Sequence, residues 1–543
     1  MKFTRREVLT AFLGAPVALS ACQNSPPPFP QGEIIGPSLE LGHKIRDGLK
    51  IDPSSDNWQS IKLVIVGGGI AGLSAAWRLL QLGFKDFILL ELEKTPGGTA
   101  RSGESKIVPY PWGAHYIPAP MKDNSALIQL FNEMGILEGE DEEGQPVVAE
   151  QYLCRDPEER LFYRGRWYEG LYLSAGASQK DLLEFKAFQK EIDRWVAWRD
   201  SKGRRAFAIP VAKASNDVEV TELDQISMAT WLGLKGWTSP RLRWLVDYSC
   251  RDDYGSSLET TSAWAGIFYF ASRMNKSGAT AQPLITWPEG NGHLVNYLYA
   301  QVKDKVRLGL AAVEINPLEK QIEITAFDQN NSQAFGFRSE QVIFAAPHFL
   351  TNYMIRPYRD NPPTHVAAFE YGAWMVANLF LKDRPKQPRT MYPLCWDNVF
   401  YESKSLGYVV ATHQKGLDYG PTIFTYYYPI TDQDVRVARK RLLETDWRGW
   451  ADVALTDISQ AHRDIYALTE RIDIMRWGHA MVRPHTGFIW SKSRLEAAKP
   501  YRNIHFAHAD LSGVALFEEA FYHGVRAAEE ILAARNIAIK SIL

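Results

Sequence analysis

This sequence predicts an α/β fold in which a Rossmann-like domain is interleaved with a second, mixed α+β domain, and two observations carry that reading. Residues 61–91, IKLVIVGGGIAGLSAAWRLLQLGFKDFILLE, place an apolar strand, three glycines at G-x-G-x-x-G spacing, a helix and a second strand ending in an acid in the order of a βαβ unit. The chain has 543 residues, more than one hydrophobic core of about 250 to 300 residues organises, so two joined domains are expected.

The elements follow in chain order. Residues 1–22 read as a targeting signal outside the fold. Arg5 and Arg6 form the twin arginines of a Tat signal, and the apolar segment Leu9 to Leu19 is too short to span a bilayer. Leu19-Ser20-Ala21-Cys22 resembles a bacterial lipobox. That resemblance implies cleavage before Cys22, lipid on its thiol, and a mature protein held at the periplasmic face of a membrane. An uncleaved amphipathic N-terminus is the alternative. Residues 23–59, Pro-rich at their start, are expected to be a linker.

Within the βαβ unit each glycine answers a physical need. Gly67 serves the tight turn, Gly69 lets backbone approach a pyrophosphate, and Gly72 lets the new helix pack closely on the sheet. With Ala71 they form a phosphate cradle at a helix N-terminus, where unpaired N–H groups and a partial positive charge favour an anion. Glu91, 19 residues after Gly72, is placed to accept hydrogen bonds from both ribose hydroxyls of an adenosine and to repel a 2′-phosphate. This argues for FAD or NAD over NADP.

The following residues favour FAD. The run Glu91-Leu92-Glu93-Lys94-Thr95-Pro96-Gly97-Gly98-Thr99-Ala100-Arg101 resembles the segment after the second strand in the flavin amine oxidase superfamily. There, the resemblance implies, Gly97, Gly98 and Arg101 approach the diphosphate and flavin. Trp287 to Leu294 and Val342 to Pro347 match in order, and Val313 falls where the family sets a residue against the adenine. The stretch Asn503 to Asp510 with the helical segment Val514 to Ala534 is similar to the closing motif. Asp510 would then hold the ribityl chain, with Phe517 at the flavin and a positive helix end toward its N1/O2 edge. The FAD-binding domain is expected from residues 60–118, 283–347 and 472–537, and the substrate domain from 119–282 and 348–471.

Composition excludes other classes. A net charge of −2 gives no basic stripe for nucleic acid. Cys154, Cys250 and Cys395 are widely spaced, with no C-x-x-C and no metal-ligand pattern, so no metal site is expected. With a single dinucleotide fingerprint, electrons are expected to come from a small organic substrate and to leave to oxygen, a quinone or a protein.

The resemblance departs from the family at the substrate site. Val376, in the stretch Tyr371 to Phe380, stands at the lysine position of amine-oxidising relatives, and Leu516 followed by Phe517 stands where an aromatic walls the amine. Thr99 replaces an arginine, and His508 replaces a glycine. Trp477 is the candidate aromatic beside the flavin, with core packing as its alternative. Pro111-Trp112-Gly113-Ala114-His115 should return the backbone to the flavin ring, with Gly113 and Ala114 at the cofactor and His115 as an acid/base or a structural hydrogen bonder. In Cys250-Arg251-Asp252-Asp253, a buried Asp would pair a cationic amine, or the turn is a helix cap paired with Arg251.

The sequence thus reads as an FAD-dependent oxidoreductase of amine-oxidase type that moves hydride from an organic substrate, an amine among the candidates, to flavin. Two alternatives stand: a carotenoid- or porphyrinogen-type desaturase or isomerase, and a non-catalytic flavin-bound binding or electron-transfer partner.

Overall fold

The computed structural model describes residues 29–388, 390–431 and 434–543. The twin arginines and Cys22 lie outside the described residues. Two large sheets organise the chain. The first grows from Trp58–Val66, whose last four residues are buried on both faces as a parallel strand requires. It pairs in parallel with Phe87–Glu91 on one side and with Gln333–Phe344 on the other, and Ile504–Phe506 joins Gln333–Phe344 in parallel. The remaining strands are Val306–Leu308, parallel to Phe87–Glu91, and the antiparallel pair Leu310–Pro317 and Ile322–Asp328.

The fingerprint helix, Ile70–Gln81, is rich in Ala and Leu and has ten buried residues. It packs against the closing helix, Phe517–Ala534, and both enclose a core with Leu63, Ile65 and Leu89. Strands from both ends of the chain and its middle therefore build one nucleotide domain.

The second sheet has eight strands in the order Gln31–Ile35, Thr469–Val482, Tyr371–Leu381, Thr422–Pro429, Gly407–Val410, Asp397–Phe400, Glu159–Tyr163 and Arg166–Glu169. Period-2 alternation along Tyr371–Leu381 divides its faces. Ala373, Met375, Ala377 and Leu379 pack under the helices Val435–Glu444 and Trp447–Ser459, while Trp374 and Val376 face the other way, with Tyr427 and Trp477.

Three boundaries differ from expectation. Residues 31–35 and Leu39–Arg46 form a strand and a helix within the segment read as a linker, because Leu41 and Ile45 find an apolar core to enter. Residues 472–482 lie in the second sheet, so the last piece of the nucleotide domain starts beyond them. The helix Ser125–Glu133, assigned to the substrate domain, buries Leu127, Leu130 and Phe131 in the nucleotide-domain core.

The two nucleotide-domain helices meet at Gly524. A Cβ there would stand 2.0 Å from Ser74 Oγ and 2.2 Å from the Ala71 carbonyl oxygen. Gly524→Ala should therefore destabilise the fold by about 1 to 3 kcal/mol, the usual range for overpacking. An unchanged denaturant midpoint would show that the helices separate freely.

Candidate functional site

A cavity of about 350 Å³ follows the fingerprint turn. Gly67, Gly69, Ala71, Glu91, Gly97, Gly98, Ala114, Asp510 and Phe517 line it, with Ala311, Ala312, Leu350 and His479. Gly67 turns the chain at φ +107°, and a Cβ on Gly72 would stand 1.9 Å from the Gly67 carbonyl oxygen, so only glycine lets the helix start this close to the strand. A Cβ on Gly69 would meet nothing within 4 Å, which leaves the helix N-terminus open to a bound group. Glu91 accepts the backbone N–H groups of Gly68 at 2.5 Å and Glu93 at 2.7 Å, and burial pushes its carboxyl up to about 7. Asp510 accepts from Tyr371 Oη at 2.6 Å and the His348 N–H at 2.9 Å. Burial alone would raise Asp510, but His508, 2.9 Å away, and these donors outweigh it and hold the carboxyl below its ordinary value. The exposed helix start, the glycine cradle and the acids at both ends fit FAD, and no step below requires other geometry.

A second cavity of about 150 Å³ adjoins the first and shares Thr99, Ala114, Trp477, Ala480 and residues 515–517 with it. Its floor is the free face of the eight-stranded sheet. Trp477, Val376, Tyr427, Val409 and Asp397 line it from five successive strands. Four strand spacings of about 4.8 Å put the Trp477 and Asp397 strands roughly 19 Å apart. Three floor side chains also fix the loop above them. Asn378 Nδ2 donates to the Pro111 carbonyl at 3.1 Å, Trp477 Nε1 to Trp112 at 2.7 Å, and Tyr427 Oη to Gly113 at 2.9 Å. Ala114 is thereby held between the cavities and His115 in the wall of the second.

The chamber is aromatic and acidic. The His115 ring stacks on Tyr427 at 4.7 Å and lies near Tyr116 and Trp396. Burial pulls its pKa down to about 4, so it is a neutral part of the wall at physiological pH. Four carboxylates line the space, Asp252, Asp253, Asp397 and Glu518, against one cation, Arg273. Arg273 is committed to Asp253 through contacts of 2.7 and 2.9 Å. Asp252 accepts only from the phenols of Tyr116 and Tyr269, at 3.3 and 3.4 Å. Burial raises Asp252 and raises Asp397 well above the carboxylate range, and like charges add to both. The lining residue Asn291 also keeps a buried Oδ1 without a donor.

Other sequence candidates fall in different places. Gly113 lines the chamber and Gly72 lies behind Gly67. Arg101 lines neither cavity: its guanidinium sits 5.1 Å from the Trp477 ring centroid and 3.5 Å from Glu93, because it braces the turn from below. Val313 is also absent from the cavity wall. A bulge between Ala312 and Glu314 turns it into the core, and Ala311 and Ala312 form the wall instead. Val376 and Leu516 both face the chamber. Arg251 pairs with Asp247 at 2.9 Å, and Gly255 caps the helix, which leaves Asp252 free for the chamber. Cys154, Cys250 and Cys395 are free thiols. Among the described residues no cluster of His, Cys, Asp and Glu suits a metal ion.

Sequence reasoning missed Asp397, Tyr427, Arg273 and Glu518. Asp397 and Tyr427 sit in strands without a motif, and only strand order brings them together. Glu518 carried a signal: an acidic pair, Glu518-Glu519, opens a helix whose next turns are buried.

Comparison with protein families matches residues 65–134 to an NAD(P)-binding Rossmann-like domain. No curated protein matches the chain. Among solved structures, a putrescine oxidase double mutant aligns at a TM-score of 0.63 and 16% identity, over 88% of this chain and 100% of that one. Cyclohexylamine oxidase from Brevibacterium oxydans IH-35A aligns at 0.59 and 16%, with 88% and 100% covered. A fatty acid isomerase from P. acnes that produces CLA aligns at 0.60 and 15%, with 87% and 98% covered. The chain therefore has the fold that these oxidases and the isomerase share.

Burial pushes the Glu518 carboxyl up to about 7 from 4.5. A raised carboxyl binds its proton more tightly when folded, so its stabilising share is complete below pH 4.5 and is lost as pH rises through 7. Glu518→Gln should gain stability relative to wild type between pH 5 and 8, by up to about 3 kcal/mol. Parallel urea titrations with a constant difference across that range would contradict this.

Proposed function

We propose that the protein is an FAD-dependent oxidoreductase of amine-oxidase type that binds a small organic cation and takes hydride from the carbon beside its nitrogen once that nitrogen has passed its proton to a chamber carboxylate. The observation carrying this reading is a chamber with more carboxylates than cations that opens directly beside the nucleotide cavity. Bound FAD would supply the hydride acceptor. The chain's own groups bind and orient. Asp252 and Asp397, neither of them in an ion pair among the described residues, suit an ammonium, while Tyr427, Tyr248 and Trp374 offer aromatic surface that favours cations. Trp477, Leu516 and Phe517, where the two cavities meet, would hold the reacting carbon in line and exclude water. The fold neighbours named for putrescine and cyclohexylamine support an amine. The desaturase or isomerase alternative draws on Val376, which leaves the floor without a lysine, and on the fatty acid isomerase neighbour. The carboxylates weigh against a long apolar substrate.

Electrons would pass from the flavin to oxygen, a quinone or a protein. We also propose Tat export and a lipid anchor on Cys22, resting on Arg5, Arg6 and the residues before Cys22.

Anaerobic mixing with amines, amino acids and polyenes should bleach the flavin with amines alone. Trp477→Ala should slow that reduction far more than it lowers FAD content, and Asp252→Asn should weaken amine binding by about tenfold, the loss expected with one charged hydrogen bond. Bleaching by polyenes and not amines would support the desaturase reading, and stable yellow protein that no compound reduces would support a non-catalytic role.

For location, Cys22→Ala should abolish labelling by radioactive palmitate while export continues. A labelled Cys22→Ala protein would place the lipid elsewhere.

A further inference from the structure

We propose that the segment Gln31–Arg46, N-terminal to the fingerprint, is part of the cofactor-binding site and closes over FAD as a clasp. The proposal rests on the FAD reading above. Its first half is anchored in the second sheet: Gln31–Ile35 pairs in parallel with Thr469–Val482, the strand that carries Trp477. Phe29 packs edge-on against Trp447 at 5.9 Å, and Glu33 pairs with Arg471 at 2.5 Å. Gly32 is needed for this docking, since a Cβ there would stand 1.7 Å from the Ile472 carbonyl oxygen.

The second half crosses to the nucleotide domain. Leu41 and Ile45 enter the core that contains Val64 and Val66, and Pro37, Gly42 and Ile45 line the nucleotide cavity together with Glu91, Ala312 and Leu350. Ser38 latches the crossing. Its backbone N–H donates to Glu93 Oε1 at 2.7 Å, and its hydroxyl to Oε2 at 3.3 Å. Glu93 itself lines the cavity, and its N–H holds the Glu91 carboxylate. The clasp is therefore tied to the same turn that offers the ribose acceptor.

Gly42 points to a ligand and not to a strap alone. It stands inside a helix, where glycine is about 1 kcal/mol less favourable than alanine. Packing does not demand it, since a Cβ would meet nothing within 4 Å. Between the buried Leu41 and Ile45, the missing side chain leaves bare helix backbone facing the cavity, which suits close approach by a flat or charged part of a dinucleotide.

The test uses the full-length protein loaded with FAD. In wild type, amides of residues 39–46 should exchange with deuterium about tenfold more slowly with FAD than after its removal. Gly42→Ala should release FAD faster than wild type, and Gly42→Trp, folded by circular dichroism, about tenfold faster, on dilution, read by flavin fluorescence. Equal exchange of residues 39–46 with and without FAD overturns the clasp, whether or not Gly42→Trp folds. So does a folded Gly42→Trp that holds FAD as long as wild type. Wild-type protein that binds no FAD overturns the cofactor reading first, and the clasp with it.

Discussion

Three hydrogen bonds from three adjacent strands to three consecutive carbonyls set the relation between the two halves of this protein. Asn378, Trp477 and Tyr427 stand on neighbouring strands, and their donors reach Pro111, Trp112 and Gly113 in turn. Buried donors and acceptors that lose a partner forfeit about 1 to 3 kcal/mol each, so the loop has little freedom to lift from the sheet. Asn378 is itself held by Thr425 at 2.7 Å. Once residues 111–113 are fixed, Ala114 must stand where the two cavities join and His115 in the chamber wall.

The face division of the second sheet follows the same constraint. Small and aliphatic residues on one face of Tyr371–Leu381 accept two amphipathic helices, which consumes that face in core packing. The opposite face carries Trp374, Tyr427 and Trp477, whose size prevents flat helix packing, and the polar edges of Tyr427 and Trp477 bond the loop. A chamber results because the loop covers these rings and the helix Pro240–Tyr254 adds Tyr248, Asp252 and Asp253 to its wall.

The chamber's charge opposes the stability of the empty fold. Asp252, Asp397 and Glu518 are raised by burial; Arg273 pairs directly with Asp253 and only partly offsets the rise at Asp252 and Glu518. Groups left in this state are stabilised by a proton or by a cationic ligand, and which of the two prevails depends on pH. Stability given up at such a place is a usual sign of a binding site.

The sequence by itself determined the nucleotide half. Gly67, Gly69, Gly72 and Glu91 stand at fixed local offsets, so the turn they form is legible without knowing what packs around it, and Asp510 is singled out by the resemblance of its segment to the superfamily's closing motif. Trp477 and Val376 are singled out by the resemblance to the flavin amine oxidase superfamily, and it is the sheet that sets them on neighbouring strands. Tertiary structure alone decided the rest. Asp397 and Glu518 reach one chamber through strand order and the closing helix, a bulge turns Val313 inward, and residues 31–46 fold because Leu41 and Ile45 meet a core made by distant segments. A side chain's chemistry is written locally, but its neighbours across a sheet are set by the pairing of strands far apart in the chain, and no spacing within one segment encodes that pairing.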